Sequence, residues 1–173
     1  SRTRRFVKTF SGRKRYNVLG ALNFVTKKVL TVTNDTYITA TQICEMLEKI
    51  SEEYPGKTVH VILDNARYQK CTVVQEFLKQ LPHIRLIYIP SYSPNLNLIE
   101  RLWKFVKGEL RSRYYDQFGL FKQKIDSILE STTQENKEKV SKLIREKVQL
   151  FDHLQFACEN TFVNFSDRKR AAA

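Results

Sequence analysis

The spacing of hydrophobic and polar residues along the chain predicts strands that alternate with helices. Two runs, 16–22 and 28–33, are joined by a tight connection over 23–27 and predict a β-hairpin. Residues 59–63 are almost continuously apolar, which is typical of a strand covered on both faces of a sheet. A fourth strand is predicted over 84–89, where Pro90 ends it.

Helical periodicity occupies the segments between and after these strands. Thr39 with Gln42, and Thr72 with Gln75, have the spacing of a capping box at a helix N-terminus. The order β-β-α-β-α-β-α-α-α predicts an α/β domain with a mixed sheet flanked by helices. No apolar run is long enough to cross a membrane. The predicted helices cover residues 39–54, 72–81, 96–115, 118–131 and 135–151.

The charge of the chain indicates a polyanionic partner. The net charge is +12, with a pI near 9.7. Residues 1–34 contain nine Lys and Arg residues and no Asp or Glu. Because Lys and Arg that neutralise phosphates release condensed counterions, this segment favours a nucleic acid. The alternative is a solvated basic face that binds nothing.

The cysteines carry less information. Cys44, Cys71 and Cys158 are odd in number and lack the spacing of a metal site. This pattern favours free thiols in a reducing compartment over a disulfide or a zinc site.

Two acidic residues stand where metal-binding carboxylates are expected. Asp64 directly follows the apolar run 59–63, and Glu100 lies near the start of the predicted helix over 96–115, with 35 residues between them. A carboxylate at the end of a buried strand, with a second on a following helix, is suited to holding divalent metal against phosphate oxygens. Two carboxylates are rarely sufficient, so a third ligand is expected elsewhere.

Bases follow Glu100 along the same helix. Lys104, Lys107 and Arg111 continue the helical spacing of Glu100 on the face beside the apolar stripe. They are suited to following a phosphate backbone, and the alternative is an ordinary Glu100–Lys104 pair on the helix surface. Trp103 falls on the apolar stripe, which favours core packing over base stacking. That stripe comprises Ile99, Leu102, Trp103, Val106 and Leu110.

The two motifs that contain these acids resemble a known family. Residues 63–68 (LDNARY) and 89–103 (IPSYSPNLNLIERLW) closely resemble the catalytic domain of DDE-type transposases, in the mariner-like superfamily and its bacterial insertion-sequence branch. Segments 13–22 and 31–38 are similar to the second and third strands of that domain. The resemblance implies an RNase H-like fold, as in retroviral integrases. It also implies metal-dependent DNA cleavage and strand transfer at element ends, with two Mg²⁺ or Mn²⁺ ions.

The resemblance also assigns roles to residues. Asp64 matches the second catalytic acid and Glu100 the third, so both are expected to bind metal. We expect a cytoplasmic, nucleoid-associated protein of bacterial or archaeal origin that binds DNA, with no membrane partner and no small-molecule cofactor. The predicted DNA-binding residues are Arg4, Arg5, Lys8, Arg13, Lys14, Arg15, Lys104, Lys107 and Arg111.

The chain departs from the family pattern at the first acid, which belongs on the central first strand. No Asp or Glu precedes Asp35. Asp35 follows the predicted strand 28–33 and is better interpreted as part of an Asn34–Thr36 turn. We therefore expect an N-terminally truncated fold with an incomplete metal site. The two half-sheets would have exposed edges, repaired by a homo-oligomer or a complementing fragment.

The predicted domain organisation follows from these elements. Residues 1–131 form the catalytic core without its first strand, 132–166 form a helical extension, and 167–173 form a disordered tail. A non-catalytic DNA-binding remnant is the main alternative function, and a structural or interaction protein on a retired nuclease fold is another.

Overall fold

The computed structural model describes residues 14–64, 66–89, 97–111, 115–145 and 161–167, with only the backbone described for 145 and 161–167. The strands are β1 (Asn17–Asn23), β2 (Val29–Asn34), β3 (Val59–Leu63), β4 (Ile84–Tyr88) and β5 (Thr161–Asp167). The helices are α1 (Ala40–Glu53), α2 (Thr72–Leu78), α3 (Ile99–Leu110), α4 (Phe118–Ser131) and α5 (Lys137–Arg145), with a short 3₁₀ helix at Arg67–Gln69.

The described strands form one mixed sheet in the order β2-β1-β5-β3-β4. β1 pairs antiparallel with both β2 and β5, whereas β3 pairs parallel with both β4 and β5. The parallel strands therefore end at the same edge of the sheet. The predicted α/β fold with a mixed sheet flanked by helices is confirmed.

One face of the sheet packs against α1 and α2. The predicted capping box of α1 is present, because Thr39 accepts from the backbone and Gln42 Oε1 accepts from Thr39 N at 2.9 Å. The helix then buries one apolar stripe against the alternate residues of β1 and β3. The buried stripe comprises Ile43, Met46, Leu47 and Ile50.

The other face packs against α3, α4 and α5. Gly20 in β1 is the point of closest approach, since a Cβ built there would lie 2.7 Å from Trp103 Cζ2 and 3.0 Å from Ile99 Cδ1. Only glycine leaves room for the indole at this distance. Trp103 is 3% exposed, so the prediction that it packs in the core is confirmed.

One local prediction was wrong. The N-cap of α2 is Cys71 without a side-chain hydrogen bond, so Thr72 and Gln75 do not form the predicted capping box. On α5, Val140 and Ile144 are buried, whereas Leu143 is 41% exposed. Cys44 and Cys71 are free thiols, as predicted, and Cys158 lies outside the described residues.

The predicted gap in the centre of the sheet is also wrong. β5 occupies the position between β1 and β3, so the sheet is continuous and the two half-sheets with exposed edges do not exist. Residues 161–167, which we expected in a helical extension and a tail, form this strand. Its sequence contains the polar residues Asn164 and Ser166, so it lacks the continuous apolar run from which a central strand is predicted. The sheet itself therefore gives no reason to require a complementing fragment.

Candidate active site

Asp64 lies at the edge of the sheet where the parallel strands end. It directly follows β3, whose residues are mostly buried, and it is itself exposed to solvent. Ile89 N donates to Leu63 O at 2.8 Å, which extends the β3–β4 pairing up to the residue before Asp64. A rigid strand therefore presents this carboxylate at an accessible edge.

A buried glutamine holds the Asp64 carboxylate. Gln69 is fully buried, and its Nε2 donates to Asp64 Oδ1 at 2.7 Å while its Oε1 accepts from Ala66 N at 3.0 Å. The same side chain thus fixes both the carboxylate and the turn after β3. Gln69 was missed at the sequence level, where a glutamine five residues after an aspartate has no distinctive signal.

The neighbouring strand supports Gln69 in turn. Tyr88 at the end of β4 donates its hydroxyl to Gln69 O at 3.2 Å, and Lys70 Nζ lies 4.6 Å from the Tyr88 ring centroid. Burial raises the pKa of Tyr88, opposed by the hydrogen bond from Gln75. The hydroxyl therefore stays protonated as a donor. Asp64 consequently rests on an ordered network that extends from β3 to β4.

Glu100 lies in the first turn of α3 and is half-buried. The buried stripe of α3 fixes the rotation of the helix on the sheet, and an acid in the first turn interacts favourably with the helix dipole. The N-cap of α3 is Leu98, whose side chain makes no hydrogen bond to the start of the helix. Glu100 N donates instead to Asn97 O at 3.2 Å.

Asn97 shows one unusual feature. It is 6% exposed, and its Oδ1 is a buried acceptor with no hydrogen-bond partner among the described residues. A buried oxygen without a donor is costly unless a cation or another donor approaches it. The start of α3 therefore combines a carboxylate with an unsatisfied oxygen, the hard donor type that Mg²⁺ and Mn²⁺ prefer.

The predicted bases of α3 share an accessible surface. Lys104, Lys107 and Arg111 are all exposed along the helix that begins beside Glu100. Of the N-terminal bases, Lys14 is exposed, whereas Arg15 is held by the ring of Tyr37 at 4.2 Å and by Thr36 O at 3.2 Å. Four further predicted bases, Arg4, Arg5, Lys8 and Arg13, lie outside the described residues.

Asp35 does not belong to this site. It follows β2, the edge strand of the sheet, whereas Asp64 follows β3 beyond both β1 and β5. Its carboxylate pairs with Lys122 of α4. Asn34 Oδ1 accepts from Thr36 Oγ1 at 2.7 Å and from Thr36 N, which confirms the predicted turn.

The side chains that the structure describes do not contain a complete metal centre. No group of three or more His, Cys, Asp or Glu among them could hold a metal ion. Asp64 and Glu100 are thus two oxygen donors, of which Asp64 is firmly supported, without a third acid between them in the described set. None of the described helices is long and apolar enough to span a membrane.

Comparison with known proteins finds a matching family model and a relative of this chain. A family model described as DDE superfamily endonuclease matches residues 2–122. The insertion element IS630 uncharacterized 39 kDa protein of Shigella sonnei is 37% identical over 92 residues. That match covers 53% of this chain and 26% of the relative, so the chain matches about a quarter of that protein. The region matched by the family model contains Asp64 and Glu100, and β5 lies beyond it.

Proposed function

Because this chain belongs to the DDE superfamily endonucleases, we propose that it is a catalytic domain of an insertion-sequence transposase that cleaves and transfers DNA strands. The observation that carries this proposal is the placement of Asp64. It lies at the carboxyl end of an interior parallel strand, accessible to solvent and held by a fully buried amide. Such support is typical of a residue whose position matters for chemistry.

Asp64 and Glu100 are the proposed ligands of divalent metal. Their oxygens, and the unsatisfied Oδ1 of Asn97 at the start of α3, suit a hard cation better than nitrogen or sulfur donors would. Mg²⁺ or Mn²⁺, when bound, would activate water or a 3′-hydroxyl and stabilise the leaving oxygen in an in-line displacement at phosphorus. Gln69 restrains one oxygen of Asp64 and so keeps the carboxylate in a single orientation.

DNA is the proposed substrate. The exposed bases Lys104, Lys107 and Arg111 lie on the helix that begins at the proposed site, so a phosphate backbone that contacts them is directed towards Glu100. The net charge of +12 favours the same polyanion. These contacts give affinity and orientation without sequence recognition.

Nicking of supercoiled plasmid tests the proposal. The chain is expected to nick plasmid with Mn²⁺ and not with EDTA. Asp64→Asn is expected to reduce the rate by more than about 100-fold, since loss of a ligand exceeds the 10–100-fold cost of losing its support. Asp35→Asn, on the far edge strand, is the matched control and should cleave normally. Cleavage that is independent of metal, or equal in Asp64→Asn and the control, would contradict the proposal.

A non-catalytic DNA-binding remnant is the second candidate. It is favoured by the lack of a three-acid group among the described side chains. On this hypothesis the chain binds DNA with a steep dependence on salt, and neither Mn²⁺ nor Asp64→Asn changes the binding. The same plasmid assay, run beside a binding titration, distinguishes the two functions.

A further inference from the structure

β2 forms one edge of the sheet. Among the described strands only β1 pairs with it, so its other side presents backbone groups that no described strand uses. The carbonyl of Thr31 shows which residues point outward, because Lys49 Nζ of α1 donates to it at 3.1 Å. In an antiparallel strand the N–H and C=O of one residue point to the same side and alternate along the chain. The backbone groups of Val29 and Thr33 therefore point outward with those of Thr31.

A groove follows this open side of β2. It encloses about 440 Å³ and is lined by Val29, Thr31 and Thr33, the three residues that point outward, and by side chains of α1 and α4. From residue 29 to residue 33 the strand extends about 13 Å, so an extended segment of about five residues matches its length. The groove thus combines free strand hydrogen-bonding groups with two helical walls.

The charge of the groove is opposite to that of the chain. Glu45 from α1 and Asp126 and Glu130 from α4 are three carboxylates, and Lys49 is one ammonium group, which gives a net charge of −2. The whole chain has a net charge of +12. Carboxylates on both walls repel a phosphate backbone and attract Lys or Arg side chains. The groove is therefore suited to a basic partner and lies outside the proposed DNA surface.

Lys49 protects the open side of β2 only weakly. A lysine at an edge strand commonly prevents unwanted pairing. Here its ammonium group bonds Thr31 O and lies 3.5 Å from Glu45 Oε1, and the side chains of Lys49 and Glu45 are both nearly half exposed. Exposed ion pairs contribute little stability. A base on an incoming segment can therefore replace Lys49 beside Glu45 and uncover the Thr31 carbonyl.

We propose that the groove along β2 binds an extended basic peptide, which joins the sheet as a further strand. Backbone hydrogen bonds to the outward residues of β2 give the affinity, as in other cases of strand addition. The carboxylates of α1 and α4 select Lys or Arg on both faces of the peptide. This interaction is separate from the proposed nuclease function, since neither Asp64 nor Glu100 lines the groove.

Fluorescence anisotropy tests the proposal with a labelled octapeptide of repeating Arg-Arg-Val-Val, which carries bases on both faces of a strand. Glu45→Gln and Glu130→Gln are each expected to weaken binding about two- to fivefold, the range for exposed ion pairs. Lys49→Met should strengthen it by a similar factor, because the Thr31 carbonyl is uncovered. Glu76→Gln on α2 makes the same charge change outside the groove and is the matched control, which should bind normally.

Two further measurements identify the mode of binding. The same peptide with every valine N-methylated cannot pair through either edge and should bind at least about tenfold more weakly. Saturating peptide should slow hydrogen exchange at the amides of Thr31 and Thr33, and urea unfolding checks that each variant is folded. Equal binding of the N-methylated peptide, or equal weakening in Glu130→Gln and Glu76→Gln, would overturn the proposal. So would the absence of binding to both the unaltered chain and Lys49→Met.

Discussion

β3 and β5 lie side by side in the same direction, and each leads to an aspartate, yet only β3 was predicted from the sequence. Four of the five residues of β3 are apolar, so burial on both faces is visible in the sequence alone. β5 places Asn164 and Ser166 between its apolar residues and is far along the chain from its partners β1 and β3. A central strand is thus recognisable from composition when nearly all its residues are apolar, as in β3, and not when polar residues alternate with apolar ones, as in β5.

Proline substitutions in β3 and β5 should have the largest effect, and they test whether both strands are integral parts of the sheet. Val61 of β3 and Val163 of β5 are paired in the register, and each has strands on both sides. Proline at an interior strand position removes a ladder hydrogen bond and leaves a buried carbonyl without its donor, which alone is expected to cost about 1–3 kcal/mol, a large share of the stability of a domain. Val61→Pro and Val163→Pro should both lower the free energy of unfolding in urea to this extent.

Val61→Ile and Val163→Ile are the controls: each keeps the backbone N–H of the ladder, so each should lower the free energy of unfolding less than the proline variant at the same position. If Val163→Pro unfolds like the unaltered chain while Val61→Pro does not, β5 is not an integral strand of the sheet.

Gly20 of β1 tests the packing of α3 on the sheet. It is paired with Ser166 of β5 and lies directly against Trp103 and Ile99 of α3. Gly20→Ala places a Cβ 2.7 Å from Trp103 Cζ2, so the Trp103 ring or the helix that carries it must shift. We expect a loss of about 1–3 kcal/mol in the free energy of unfolding and a lower rate of DNA nicking. Gly108→Ala, on α3 with open space around its Cβ, is the control and should stabilise by about 0.5–1 kcal/mol. Equal stability of the two variants would contradict the close approach.

Gln69 tests the support on the β3 side of the site. Gln69→Leu keeps the volume but leaves Ala66 N and Asp64 Oδ1 without their partner. We expect the free energy of unfolding to fall by about 1–2 kcal/mol and Mn²⁺ affinity to fall about 10–100-fold. Isothermal titration with Mn²⁺ measures the second effect. Gln80→Leu, at an exposed position after α2, is the control, and an unchanged Mn²⁺ affinity in Gln69→Leu would show that Gln69 does not position Asp64.

The smallest effect is expected at Tyr16. This residue directly precedes β1, the strand that lies on the side of β5 opposite β3. Burial and the hydrogen bond to Asp126, 2.7 Å from the hydroxyl, raise the pKa of Tyr16 from 10.0 to about 12. The folded state thus favours the neutral hydroxyl, and its stabilising contribution is present below pH 10 and lost as pH rises through about 12. Unfolding measured across this range should show the loss, and Tyr16→Phe should not show it.

The candidate site was predictable where local chemistry sets the structure. The apolar run before Asp64 and the Thr39–Gln42 capping box are local patterns, and both were identified correctly. The role of Gln69 was not predicted, because it depends on a turn that brings the side-chain amide back to Asp64 and on Tyr88 from another strand. The strand β5 was not predicted either, because its position depends on pairing with β1 and β3, which are more than ninety residues earlier in the chain.

The central claim, that Asp64 after β3 and Glu100 in the first turn of α3 hold divalent metal, is tested most directly by iron-mediated cleavage of the protein itself. Fe²⁺ bound in place of Mg²⁺, with ascorbate and peroxide, cuts the backbone nearest the ion. We predict fragments that end near Asp64 and Glu100, and their loss in excess Mg²⁺ and in Asp64→Asn. Cuts that avoid both residues, or that persist in Asp64→Asn, would contradict the account.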